Sequence, residues 1–158
     1  MAADTETIRQ VLEMVPQQPP FRFIDDILEM DGDHIVGAYR FRDDEYFYRG
    51  HFPGRPVTPG VILIETMAQT GVVAFGIYLL MRQGMSPERI GRMVTLFVMA
   101  DDCEFYAVVN PGERVIIRGE KMYLRRGNLR TKVMMEREDG EFVCSGTLTG
   151  RGVDTHEA

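Results

Sequence analysis

The sequence predicts an α+β fold in which one long central helix is wrapped by a curved, mostly antiparallel sheet. Three observations predict it. The run from Val61 to Gln83 is apolar nearly all round, as a helix surrounded by protein must be. Almost everything after Arg92 reads as short strands parted by turn residues. The 158 residues hold no repeat, low-complexity tract or linker, and that length suits one domain. We place that domain at 1–150 and a polar tail at 151–158.

Taken in order, Thr5 to Val15 reads as a short helix with Ile8, Leu12 and Val15 on one stripe. Pro16, Pro19 and Pro20 end it and force an extended connection. Phe21 to Met30 is a strand, Asp31-Gly32-Asp33 a turn, and His34 to Arg42 a second strand. On that strand Ile35, Gly37, Tyr39 and Phe41 share one face. Asp43 to Gly50 is an aromatic loop, and His51 to Gly60 is rich in proline and glycine. The long helix follows, about 34 Å in length at 1.5 Å per residue, and Gly84 stops it. Ser86-Pro87-Glu88 has the form of an N-cap and first turn. Val94 to Met99, Cys103 to Val109, Arg114 to Leu124, Leu129 to Arg137 and Phe142 to Thr149 read as strands. Pro111-Gly112, Gly127-Asn128 and Asp139-Gly140 supply the turns between them. From Gly150 the chain is polar and reads as loose.

Composition narrows the function. Eighteen Lys and Arg stand against 24 Asp and Glu, a net charge of −6, which argues against a nucleic-acid binder held by bulk charge. Hydrophobic residues at 44% and charged residues at 27% suit a globular chain with a real core rather than a disordered one. Two cysteines, Cys103 and Cys144, make neither a disulfide scaffold nor a Cys-rich zinc site. The polar, acidic start MAADTETIRQ does not read as a signal peptide. We expect a reduced, cytoplasmic protein. The long helix approaches the length of a membrane span. Glu65, Thr66, Gln69 and Thr70 in its first half speak against insertion, and a buried core helix is the reading we adopt.

The chemistry concentrates where the Pro/Gly-rich loop meets this helix. His51 opens the loop, and Pro53, Pro56 and Pro59 stiffen it. Glu65 lies in the second turn, with Gln69 as its i,i+4 neighbour. Two readings of Glu65 stand side by side. It is a buried glutamate paired with an arginine or with Gln69, or it is a carboxyl group kept in an apolar wall for its proton. Burial raises a carboxyl pKa and makes a usable general acid near neutral pH. Gly60 starts the helix, where free N–H groups can polarise a carbonyl. Base, acid and carbonyl binder would be His51, Glu65 and the Gly60 amide. Such a trio suits removal of a proton α to a carbonyl with loss of a β-hydroxyl. One His and one Glu are too few ligands for a metal site, and no HExxH pattern exists, so no metal is expected.

The segment HFPGRPVTPGVILIETMAQ, His51 to Gln69, resembles the signature GHFPGxPxxPGVLxxEAMAQ of the 3-hydroxyacyl-acyl carrier protein dehydratases of the FabZ type. Weaker similarity covers most of the chain. Pro20-Phe21 to Asp25 resembles the family's PFLLVD strand, Phe105 to Gly112 its RPVxPGD segment, and Arg125-Arg126-Gly127 its RRG turn. Asp139-Gly140 to Cys144 resembles its DGxxVC hairpin. The resemblance implies the hot-dog fold and dehydration of (3R)-3-hydroxyacyl-acyl carrier protein to the trans-2-enoyl form in fatty-acid or related biosynthesis. It implies that His51 deprotonates C2, that Glu65 protonates the departing 3-hydroxyl and that the Gly60 amide binds the thioester carbonyl. The Val57 carbonyl would hold the imidazole tautomer, and Gln69 would orient Glu65. No cofactor is implied beyond the phosphopantetheine of the acyl carrier protein that bears the substrate. The implied partners are that carrier and a second copy of the chain, which shares the site across a homodimer, with a trimer of dimers as a larger form. No nucleic acid and no membrane are implied.

Some positions depart from the family. Gln17-Gln18 replaces a usual His-Arg pair, Leu96 a tyrosine found in some relatives, and Glu104 and Tyr106 occur where basic residues are common. Arg55, Arg82, Arg89, Arg92, Arg125 and Arg126 are either a substitute carrier-docking patch or an ordinary solvated charged surface. The related dehydratase–isomerases of the FabA type carry Asp in place of Glu65, so Glu favours dehydration alone, although some Glu-bearing relatives isomerise too. Met67, Met93 and Met99 either line an adaptable acyl tunnel or fill the core. Two other functions compete: a hot-dog thioesterase or hydratase acting on coenzyme A esters, and a non-catalytic acyl-carrier-binding subunit.

Overall fold

The computed structural model describes residues 1–156. Helix α1 is Thr5–Met14, strand β1 Asp26–Met30 and strand β2 His34–Arg40. Tyr46–Arg49 forms a single 3₁₀ turn. The long helix α2 runs Gly60–Arg82, and α3 is Pro87–Gly91. Strands β3 (Met93–Phe105), β4 (Arg114–Arg125), β5 (Asn128–Arg137) and β6 (Phe142–Asp154) complete the chain. All six strands form one antiparallel sheet in the order β1-β2-β4-β5-β6-β3.

The sheet folds around α2. Of the most apolar stretch of that helix, 72% is buried. Small residues allow the close approach. A Cβ on Gly71 would lie 2.7 Å from a Val133 methyl, and one on Gly119 would lie 3.3 Å from the Gly71 Cα. In the middle of α2, Gln69–Ala74 widens into π-helical turns, all six residues buried. Two core lobes lie along the helix. One gathers Phe23, Phe41, Met67, Met135 and Leu148, and the other Val11, Ile27, Phe75, Tyr78 and Leu129.

Local chemistry sets the ends. Asp4 caps α1 by accepting from the Thr7 N–H at 2.8 Å, and Ser86 caps α3 by accepting from the Arg89 N–H. The β4–β5 hairpin turns on Arg126-Gly127, both at positive φ, which matches the twist of the flanking strands. The turn therefore lies one residue earlier than the expected Gly127-Asn128, because Asn128 already pairs with Arg125. Gly140 at φ 91° closes the β5–β6 turn, its N–H donating to Arg137 O at 2.8 Å.

Four further expectations differ from the structure. The first strand starts at Asp26 rather than Phe21, because the Gln69 side chain takes the backbone hydrogen bonds of Phe21 and Phe23. Strand β2 ends at Arg40, ahead of the expected Arg42. The two strands expected between Val94 and Val109 are one continuous β3, bulged between Phe97 and Met99 and between Asp101 and Glu104. Strand β6 runs on to Asp154 instead of giving way to a loose tail at Gly150. Gly150, Gly152 and Asp154 pair with Phe97, Thr95 and Met93. Of the expected tail, residues 157 and 158 lie outside the described residues.

Strand β3 pairs with β6 on one side and forms an edge of the sheet on the other. Along it Leu96, Phe97, Val98 and Met99 are about half exposed. A long apolar edge of this kind is a template for pairing with another chain.

Candidate active site

His51 stands half-buried in the loop after the 3₁₀ turn. Its Nδ1 lies 2.9 Å from the Val57 carbonyl oxygen. With Nδ1–H donating to that carbonyl, Nε2 is the free, lone-pair nitrogen. The loop is held from within: His51 N–H donates to Phe47 O at 3.0 Å, and Val57 N–H to His51 O at 3.0 Å. Tyr48, its hydroxyl 2.7 Å from Thr58 Oγ1, fixes the far side of the loop, and burial pushes its phenol up to about 12. The Phe52 ring stacks on the imidazole at 4.0 Å between centroids.

Gly60 is the first residue of α2. Its N–H has no acceptor within the helix, whereas the Ile62 and Leu63 N–H groups close on Pro59 O. A Cβ on Gly60 would lie 3.2 Å from the Phe105 ring, so only glycine fits there without displacing that ring.

Glu65 lies on the inward part of α2. Gln69 Nε2 donates to its Oε1 at 2.9 Å. No arginine pairs with it among the described residues. Burial raises the Glu65 pKa, and the Gln69 hydrogen bond pulls it partly back. Gln69 itself is fully buried and serves three groups. Besides donating to Glu65, it accepts from the Phe23 N–H at 2.6 Å and donates to Phe21 O at 3.0 Å. The amide thus ties the acid to the segment leading into β1.

A cavity of about 30 Å³ opens beside Glu65, with Gln17, Thr95, Leu96, Phe97 and Gly150 among its walls. His51 is not among them. A larger apolar hollow of about 280 Å³ continues from it, sharing Val72, Val73, Thr95 and Gly150 and reaching Ile77, Leu80 and Met93. Of the three methionines singled out in the sequence, Met93 lines this hollow, Met67 is core, and Met99 faces a separate hollow beside Arg125, Arg126 and Arg130. The structure thus joins His51 to Val57 and Glu65 to Gln69 as two pairs. Cavity walls supplied by Gln17, Thr95 and Gly150 come from distant segments and carry no local motif.

The arginines do not make a single patch. Arg92 pairs with Asp154 at 3.4 Å, Arg82 lies over Tyr78, and Arg125 over Tyr123. Arg89 is on the rim of the apolar hollow. Tyr106 donates its hydroxyl to Glu104. Among the described residues no cluster of three His, Cys, Asp or Glu is placed to hold a metal ion.

Residues 15–147 match the FabA-like domain family. The chain is 38% identical over 151 residues to the 3-hydroxyacyl-acyl carrier protein dehydratase FabZ of Herpetosiphon aurantiacus, covering 94% of this chain and 99% of that protein. It is 34% identical over 142 residues to FabZ of Caldicellulosiruptor bescii, covering 89% and 94%. Among solved structures it resembles the dehydratase heterocomplex ApeI:P of Xenorhabdus doucetiae, with TM-score 0.74, 12% identity and 93% of each chain covered. A hypothetical thioesterase protein with coenzyme A from Streptococcus pneumoniae shares the fold at TM-score 0.54 and 14% identity, over 82% of this chain and 85% of that one.

Proposed function

The chain belongs to the FabA-like family, among its FabZ-type members, and on that premise we infer that it is a 3-hydroxyacyl-acyl carrier protein dehydratase of fatty-acid or related acyl-chain biosynthesis. Two observations support the mechanism: a histidine ring fixed by a backbone carbonyl, and a half-buried glutamic acid whose pKa burial raises. His51 Nε2 takes the pro-chiral proton from C2 of the (3R)-3-hydroxyacyl thioester. The C2–H electron pair becomes the C2=C3 bond, the C3–O bond breaks, and the departing oxygen takes the proton of Glu65. The Gly60 N–H, at the positive end of α2, stabilises charge on the thioester oxygen during proton removal. Val57 O keeps the basic nitrogen of His51 pointed outward, and Gln69 keeps the Glu65 carboxyl in place. The step is a loss of water with no net oxidation, so the phosphopantetheine arm is the one group needed besides the protein.

Two copies of the chain complete the site. Leu96 to Met99 on the β3 edge provide the apolar seam, and His51 lies apart from the cavity that holds Glu65. We assign the homodimer as the working unit, a trimer of dimers as its larger form, and the cytoplasm as its place. The apolar hollow beyond Glu65 receives the acyl chain. The carrier docks near its mouth, where Arg89 supplies positive charge for an acidic partner.

Single substitutions test this reading. His51→Ala and Glu65→Gln should each lower turnover at least about a hundredfold, the usual scale of general acid–base catalysis. Mixing the two inactive variants should restore activity through hybrid dimers that carry one intact site. Near-normal turnover in either folded variant contradicts the mechanism, and verified hybrids without rescue contradict the shared site.

A further inference from the structure

We propose that Arg22 is a positioning residue for the reaction: its guanidinium holds in place the connection whose Gln17 walls the cavity beside Glu65. The inference rests on the dehydratase reading above. The tie begins at the end of α1. Leu12 O would pair with the N–H of residue 16 if the helix went on, but that residue is Pro16 and has none. The last turn of α1 carries no basic side chain of its own to meet its free carbonyls. Arg22 supplies both donors and charge from ten residues on. Its Nη2 donates to Leu12 O at 2.7 Å, and its Nη1 donates to Val15 O and Gln17 O, each at 3.2 Å. The half-buried guanidinium thus sits at the negative end of the helix dipole and forms no ion pair among the described residues. One side chain clamps the helix end and Gln17 together.

The clamp is anchored against the core. Phe23, the next residue but one toward it from Phe21, is fully buried. The two peptide groups that flank Arg22 present Phe21 O and the Phe23 N–H, and Gln69 of α2 binds both, at 3.0 and 2.6 Å. The backbone of Arg22 is therefore fixed to the helix that bears Glu65, and its side chain fixes the Gln17 segment to that backbone. Gln17 and Glu65 line the same small cavity, which has no charged or titratable wall besides Glu65 itself. Burial is the larger influence on the Glu65 proton, and the Gln69 hydrogen bond is the other. Without the guanidinium, Leu12 O and Gln17 O lose their donor and turn to water for one. The connection from Pro16 to Pro20 then moves outward, and water reaches the carboxyl group. The Gln69 hydrogen bonds do not involve the guanidinium and persist, so the loss falls on the dryness of the acid.

The test uses the full-length protein with Arg22→Met, which keeps an apolar stem and removes every donor, and Arg22→Lys. Lysine keeps the charge at the helix end but offers a single ammonium in place of a fork that reaches several carbonyls. The first readout is the pH at which the Glu65 carboxyl titrates, followed in the infrared band that Glu65→Gln lacks. The second is kcat on the 3-hydroxyacyl carrier at neutral pH, and the third is stability in urea. In Arg22→Met the Glu65 titration should move to lower pH. Its kcat should fall about tenfold, because the protonated share of the general acid falls with it. Arg22→Lys should fold, with a smaller shift in the same direction and a smaller loss of kcat. A Glu65 titration that stays in place in folded Arg22→Met, or moves to higher pH, overturns the proposal even if stability drops, and marks Arg22 as a helix cap only. If Arg22→Met does not fold, an unmoved titration in Arg22→Lys overturns it equally. The infrared titration needs no turnover. Absence of enoyl product from the unaltered enzyme is thus a different failure and falls on the dehydratase reading itself.

Discussion

Replacing Gln69 with methionine removes an amide while nearly preserving its volume. Three hydrogen bonds go with it: to the Phe23 N–H, to Phe21 O and to Glu65 Oε1. Gln69 is fully buried, so no water replaces them without repacking. The Phe23 N–H, on a residue that is itself buried, is left without a partner at about 1–3 kcal/mol. Phe21 O is only partly covered and adds less. The sum is about 2–4 kcal/mol, against the ~1 kcal/mol of an average substitution. Urea unfolding should show it as a midpoint lower by about 1–2 M. A second consequence separates the clamp from simple destabilisation. The Gln69 hydrogen bond holds the Glu65 pKa down against burial, so its loss should move the Glu65 titration to still higher pH. Infrared difference spectra of the carboxyl band, identified by its absence in Glu65→Gln, report that shift. A stability loss below about 0.5 kcal/mol, or a Glu65 titration moving toward lower pH, would refute the reasoning.

Two other perturbations follow from the same geometry. Because the folded pKa of Glu65 lies above its ordinary carboxyl value, the folded protein binds more protons than the unfolded one in that window. Stability at this group therefore falls as pH rises through the raised pKa. The stability gain of Glu65→Gln over the unaltered protein should grow from acid to neutral pH, and a gain that shrinks instead contradicts the assignment. Val98→Lys places a charge on the β3 edge where the side chain is 53% exposed, so the single chain should keep its stability within about 0.5 kcal/mol. Light scattering should show dissociation toward the monomer. An unaltered dimer mass at micromolar concentration moves the interface elsewhere.

Much of this architecture is legible from local chemistry. The Ser86 cap, the Asp139-Gly140 turn and the apolar run of α2 are short-range signals, and the structure places a cap, a turn and a helix there. The i,i+4 spacing likewise brings Glu65 and Gln69 together. What the sequence hides depends on distant partners. Phe21 to Asp25 has the composition of a strand, yet the Phe23 N–H and the Phe21 carbonyl bond to an amide 46 and 48 residues away. Gly150 to Asp154 looks like a tail because its glycines and Arg151 lack strand propensity, but β3 supplies a complete ladder beside it. The polar pair Asp101-Asp102 suggests a break in β3, and the chain absorbs it as a bulge with Asp102 at φ 53°. Gln17 and Glu65 line one small cavity although 48 positions part them, a placement without any signature of its own.

The central claim is that this site eliminates water rather than cleaving a thioester. Incubation with a 3-hydroxyacyl thioester of acyl carrier protein, followed by mass measurement of the intact carrier and titration of free thiol, decides it directly. The account predicts a carrier lighter by one water, carrying an enoyl group, with no thiol released. Free thiol appearing without the enoyl carrier would contradict it, and would make His51 and Glu65 the machinery of a hydrolase on the same fold.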